Sequence, residues 1–267
     1  MISKSERLLI FRFLFSKKSD GYVSIFAWFS IIGISLGVAA IIIVMSVMNG
    51  FRIDLTNRII GLNSHLNIYS FDNEITNKQA DELILNIDNS FFYQHYKSIE
   101  TNGLIIKSNN SKGVMIKGYD AYDKNHYLFN SINMGALIQN PKSEILIGDS
   151  LANEMNLSVG DKVKIAIPKT DKTILGNIPR FKTLEVVGIF DLGLYEYDSN
   201  LIFLSSELVR KLLLYDEDIY NKIEFFTSSP NEIELFKNKV ELETSNLLLN
   251  FYSISWKDQN KTLINAL

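Results

Sequence analysis

The sequence predicts an α+β protein carried on a membrane helix: one N-terminal transmembrane helix, then a mixed α+β extracytoplasmic domain with room for two lobes divided near Pro141. Three observations predict it. No charged side chain occurs from Gly21 to Phe51, short helical and strand periodicities alternate from His65 to Ser255, and no second apolar run of comparable length follows. A chain of 267 residues has ample core for such a domain, and a net charge of −3 with scattered basic residues gives no sign of a nucleic-acid partner. There is no cysteine, which excludes disulfides and thiolate chemistry.

The uncharged run is about 46 Å long as a helix, against a hydrocarbon core of about 30 Å. Its most apolar part, Ile25 to Met48, is too long for the apolar region of a signal peptide, and Ala39-Ala40 is followed by Ile41-Ile42-Ile43-Val44 rather than a polar start. Residues 21–51 are therefore expected to be an uncleaved span. Before it, Lys4, Arg7, Arg12, Lys17 and Lys18 outnumber Glu6 and Asp20, which places residues 1–20 in the cytoplasm by the positive-inside rule and everything after Arg52 outside it. Arg7 to Phe15 alternates basic and apolar residues, as an amphipathic interfacial helix or as an extension of the span. Ser30, Gly33 and Gly37 form a small-residue stripe where another helix can approach. Residues 52–64 read as a stalk.

The domain proper, 65–255, opens with a strand from His65 to Tyr69. Thr76 and Gln79 form a capping-box pattern ahead of Ala80, Leu83, Ile84 and Ile87, so a helix with one buried face follows. Ile99–Lys107 and Gly113–Gly118 flank a polar turn and form a hairpin. Ile145–Ile147 is a strand, with Asp149 or Ser150 capping a helix from Leu151 to Asn156. Leu201–Leu204 is a strand, Ser206 caps a helix carrying Leu208, Val209, Leu212 and Leu213, and Ile219–Phe226 is a strand. Ser229-Pro230-Asn231-Glu232 combines a capping box with proline at the first helical position, before Ile233, Phe236 and Val240; Leu248–Ser255 is the last strand.

Between the strands containing Val163, Ile165, Ile167 and Leu184 to Phe190 lies Pro168-Lys-Thr-Asp-Lys-Thr-Ile-Leu-Gly-Asn-Ile-Pro179, a loop with an apolar tip bracketed by two of the four prolines. The prolines are expected to stop the ladder and hold the loop outwards. An apolar tip in water either waits for a cover or folds back on its own domain.

Motifs for catalysis are weak. Gly148-Asp149-Ser150-Leu151 matches a serine-hydrolase signature, but His65, His95 and His126 all precede Ser150 and none lies in the required downstream motif. The histidines are about thirty residues apart without a carboxylate cluster at ligand spacing, so no metal is expected. Gly33 and Gly37 lie in the span and lack the Gly-Lys of a phosphate loop. Tyr195-Glu196-Tyr197-Asp198 reads as a ligand-binding patch or, more simply, a solvated edge or turn.

Several separated segments carry a resemblance. The run Tyr22-Val-Ser-Ile-Phe-Ala-Trp28-Phe-Ser-Ile-Ile-Gly33-Ile-Ser-Leu-Gly37-Val-Ala-Ala40, Ser46-Val-Met-Asn-Gly50-Phe51, Val186-Val-Gly-Ile-Phe190, Gly193-Leu-Tyr-Glu-Tyr-Asp198, and Trp256 with Asn260 and Leu263 resemble, in this order, the LolC/LolE permeases of lipoprotein-releasing ABC transporters. The resemblance covers essentially the whole chain. It implies a MacB-like periplasmic domain on the bacterial inner membrane and a non-catalytic subunit without a cofactor. Its implied partners are a LolD-like cytoplasmic ATPase, a second permease of the same or a sister chain, a LolA-like periplasmic chaperone and an acylated lipoprotein. Family permeases continue through three more membrane helices, so the chain is expected to be a fragment whose residues 256–267 begin the return to the membrane.

The bracketed loop corresponds in the family to a hook that captures the chaperone. Thr173, Ile174, Leu175, Gly176, Ile178 and Pro179 would form it, with Ile174, Leu175 and Ile178 in the chaperone's cavity and Arg180 and Lys182 on its acidic rim. Ile174 stands where the family usually has proline, which should make the tip less rigid. Met45, Met48 and Phe51 are candidates for acyl-chain contact, or else face bulk lipid or a partner helix. Other four-helix permeases, MacB-like efflux proteins or FtsX-like activators of cell-wall hydrolases, are the alternative, and a single-pass anchored binding or sensor domain is a second.

Overall fold

The computed structural model describes residues 4–14, 21–62, 64–122, 126–173 and 176–262. The chain divides into two compact units, Met1–Asn57 and Arg58–Ala266. The first contains helix α1 (Lys4–Leu14) and most of α2 (Gly21–Leu62). Within α2, Ser24–Asp54 has a mean hydropathy of 2.7 and is not buried by protein, so it is long and apolar enough to cross a membrane. A side chain added at Gly33 or Gly37 would meet nothing within 4 Å, which leaves that stripe open. The segment read as a stalk continues α2 as far as Leu62.

The second unit runs through β1 (Leu66–Ser70), β2 (Ile75–Thr76), α3 (Asn77–Asn86), β3 (Gln94–Lys107), β4 (Asn110–Tyr119), β5 (Ile132–Gly135), β6 (Glu144–Gly148) and α4 (Asp149–Met155). It continues with β7 (Lys162–Thr173), β8 (Gly176–Phe190), α5 (Tyr195–Asn200), β9 (Leu201–Ser205), α6 (Ser206–Leu213), β10 (Ile219–Tyr220), β11 (Lys222–Phe226), α7 (Ile233–Asn246), β12 (Phe251–Ser255) and α8 (Trp256–Gln259). The main sheet runs β12-β1-β11-β3-β4-β9-β6-β8-β5, and β7 pairs with both β3 and β8. The pairing β3-β4-β9-β6-β8-β7-β3 is therefore a closed ring of six strands, which removes the exposed edges an open sheet would have.

Among the described residues three core clusters follow from this topology, one of them joining Tyr119, Leu128, Leu146, Phe190 and Phe203. Inside the ring, Ile105, Ile116, Ile147, Val163, Ile165, Leu184, Val186 and Ile202 pack together, and α6 adds Leu208, Val209 and Leu212. The four strands β12, β1, β11 and β3 carry another, where Leu66, Ile68, Ile223 and Phe225 meet Leu83 and Ile84 of α3 and Phe236 and Val240 of α7. The two halves share β3, which pairs with β11 at its start and with β7 near its end. Gly103 makes the second pairing possible, since a Cβ there would lie 2.7 Å from the Ala166 carbonyl oxygen and 2.6 Å from Ile116 Cδ1. The expected division near Pro141 is thus corrected. Pro141 lies in a turn before β6, and the seam follows β3 because chain far apart in sequence closes the ring.

Local signals fared unevenly. Thr76 and Gln79 form the expected capping box of α3. Helix α6 is capped by Ser205, whose hydroxyl accepts from the Leu208 N–H at 3.2 Å; Ser206, the residue expected there, is the first helical position and bonds Asp120. Helix α4 starts at Asp149 with Gly148, rather than Asp149 or Ser150, as its N-cap; glycine is required there, since a Cβ at 148 would lie 2.1 Å from the Asp198 carbonyl oxygen. Ser229 stands at the N-cap of a short 3₁₀ turn, Pro230–Glu232, ahead of α7, with proline at the start of the turn as expected, but its side chain makes no cap bond; its N–H is held by Thr227 Oγ1 at 3.2 Å. The strand expected from Ile219 to Phe226 is broken at Asn221, whose amide side chain bonds both the N–H and the C=O of Glu100 at 2.8 Å. Tyr195–Asn200 is a helix with Asp198 buried, rather than a solvated edge.

Candidate functional site

The hairpin of β7 and β8 is anchored in the ring at its base. There β7 pairs with β3 from Lys164 to Ala166, and β8 pairs with β6 from Glu185 to Phe190. Val163 opposite Leu184 turns both side chains into the core. Beyond Ile167 opposite Arg180 the two strands pair with one another alone among the described residues: Thr170 with Pro179, Asp171 with Ile178, Lys172 with Asn177 and Thr173 with Gly176. The sequence expectation that the prolines stop this ladder is corrected. The register shifts between Ile167 and Thr170, which takes up Pro168, and Pro179 sits within β8. A residue without an N–H is tolerated because, among the described residues, the outer ribbon has no third strand to serve.

Of 168–179 only backbone is described, and Ile174 and Leu175 lie outside the described residues. The foot of the ribbon is fully visible. Arg180 is half-buried, and its Nη1 donates to the Lys211 carbonyl at 3.0 Å, in the last turn of α6. A guanidinium on the unsatisfied carbonyls of a helix end meets the negative pole of that helix, so Arg180 braces the ribbon against the ring. Lys182, opposite Ile165, is exposed. Phe181 beside it, opposite Ala166, is 54% exposed and was not singled out from sequence. The signal was present: counting back by two from the buried Val186 and Leu184 places residue 181 on the outward phase.

Met45, Met48 and Phe51 are exposed on α2 at three-residue spacing, which sets them along one side of the helix. His65 serves structure. His65 Nδ1 accepts from the Thr227 N–H at 2.8 Å and its Nε2 faces the Ile60 carbonyl at 3.0 Å, tying the end of α2 to β1 and the segment after β11. Burial lowers the pKa of this ring below its ordinary value. Among the described residues no group of three or more His, Cys, Asp or Glu is placed to hold a metal ion.

The family described as MacB-like periplasmic core domain matches residues 27–241. The chain is 29% identical over 213 residues to the lipoprotein-releasing system transmembrane protein LolC of Neisseria meningitidis serogroup B, covering 78% of this chain and 51% of that protein. It is 26% identical over 209 residues to LolC of Xylella fastidiosa, covering 77% of this chain and 50% of that one. The chain thus spans about half the length of the curated relatives it matches. A similar solved structure is the periplasmic region of MacB from Actinobacillus actinomycetemcomitans, with a TM-score of 0.49 and 15% identity over 78% of this chain and 96% of that one.

Proposed function

We propose, for a chain that belongs to the family of MacB-like periplasmic core domains and within it to the LolC/LolE permeases, that it is the N-terminal part of an ABC-transporter permease moving lipoproteins out of the bacterial inner membrane. Residues 1–20 are cytoplasmic, α2 spans the membrane and the second unit lies in the periplasm. A separate LolD-like subunit hydrolyses ATP, and this chain pairs with a second permease. Closure of the paired membrane helices expels the acylated lipoprotein, whose chains are touched by Met45, Met48 and Phe51. The hairpin receives a LolA-like chaperone that takes the cargo away.

The observation that carries this reading is the ribbon beyond Ile167 and Arg180, paired with itself alone among the described residues. A two-stranded ribbon is marginal in water, and covering an apolar tip offsets that weakness, so this element gains stability from a bound partner. In this reading Ile174, Leu175 and Ile178 enter an apolar cavity. Thr173, Gly176 and Pro179 shape the tip, and Lys182 with the braced Arg180 faces an acidic rim. A photo-crosslinking residue at position 175 of the full chain in nanodiscs should capture the chaperone, whereas one at exposed Leu85 of α3 should not. Capture at 85 with none at 175 would contradict the assignment.

A further inference from the structure

One face of the neighbouring strands β1, β11, β3 and β4 carries ionisable side chains in register: Tyr69 opposite Lys222, and Glu100 opposite Lys117. Lys222 is satisfied, with its Nζ 2.8 Å from Glu100 Oε2 and 3.0 Å from Glu224 Oε1. Glu224 Oε2 accepts from the Tyr119 hydroxyl at 2.5 Å. Burial works to raise the Glu224 carboxyl, but Lys117 and Lys222 overcome it and hold the group charged. Lys117 is different. It is 6% exposed, and among the described residues its ammonium has one partner, Glu224 Oε1 at 3.3 Å. On the same face Ser98, opposite Lys222, has a buried hydroxyl with no partner among the described residues.

Lys117 lines a cleft of about 540 Å³ at the seam where the four-stranded sheet continues into the ring, within the ~300–1,000 Å³ range of ligand sites. Met115, Leu201, Tyr69 and Tyr197 supply largely apolar walls. An ammonium can donate three hydrogen bonds, and this one spends a single long one, so the cleft offers donors to an oxygen acceptor. The surrounding charge decides which acceptor. Glu100, Glu196 and Glu224 outnumber Lys117 and Lys222, so an anion gains no net attraction while a neutral carbonyl does. Uncharged carbonyls flanked by apolar side chains are what an extended peptide presents.

We propose that this cleft binds a short, uncharged, extended peptide segment, with a backbone carbonyl on Lys117 and an apolar side chain against Met115 and Leu201. The site is independent of the role given to the hairpin. The full chain in nanodiscs, labelled with ¹³C at its methionine methyls, provides the test, with N-acetyl-Ala-Leu-Ala-amide as probe and hexanoate as the anionic control. The peptide should shift the Met115 signal saturably while Met134 and Met155 stay still, and hexanoate should have less effect. Lys117→Leu should weaken peptide binding at least tenfold. Asn200→Trp, an exposed position on the cleft lining, should do the same without touching the buried charges. A Met115 signal that ignores the peptide, answers hexanoate more strongly, or responds to the peptide in both variants as strongly as in the native chain overturns the proposal.

Discussion

Asp198 accepts from the Leu192 N–H at 2.8 Å, yet its carboxyl is buried and lies beside Asp191. Burial first, and then the neighbouring carboxylate, push its pKa up to about 6, against an ordinary value of ~3.9. The folded state therefore prefers the protonated form: its contribution to stability is present below the unfolded pKa and is lost as pH rises through the folded one. Asp198→Asn imitates the protonated group and keeps an oxygen for Leu192. It should stabilise the protein by about 1–2 kcal/mol at pH 8, or roughly 2–8 °C in melting temperature. That gain should shrink to nothing below about pH 3.5. Thermal melts of both proteins across this range check the sign. The buried position could not be read from Tyr195-Glu196-Tyr197-Asp198, because an acidic aromatic tetrapeptide has the composition of a surface.

At the scale of elements, the closed ring depends on β7 reaching β3, and Gly103 is the point of closest approach. Gly103→Val would drive side-chain atoms into Ala166 and Ile116 and should cost about 1–3 kcal/mol. Its effect should be directional. Hydrogen exchange should show the amides of 164–166 losing protection while those of β6, on another side of the ring, keep theirs. The same elements explain what the sequence conveys. The capping box of α3 and the apolar run of α2 are set by neighbours within a few residues, so both are legible. The ring is not, because β4 pairs with β9 across a long intervening stretch of chain. Lys222 and Glu224 mislead for a related reason: Lys-Ile-Glu-Phe has the alternation of a half-solvated strand, and only the arrival of Lys117, Glu100 and Tyr119 makes its polar face an interior.

For the whole molecule, a helix with the length and hydropathy of a membrane span is followed by a unit whose ring and four-stranded sheet share one long strand, and a ribbon leaves the ring with no strand beside it among the described residues. The bracketing prolines marked that ribbon in the sequence, although their effect on the ladder was different from the one expected. Burying Ile174 and Leu175 in a partner should contribute roughly 1.5–3 kcal/mol each, and placing a carboxylate at 175 would oppose that with a desolvation penalty. The most direct measurement is therefore titration of the chain in nanodiscs with a LolA-like chaperone, for the native sequence and for Leu175→Asp, with a thermal melt of each. Binding weakened at least tenfold with an unchanged melting temperature is the predicted result, and a melting temperature lowered by several degrees with binding unaltered would contradict it.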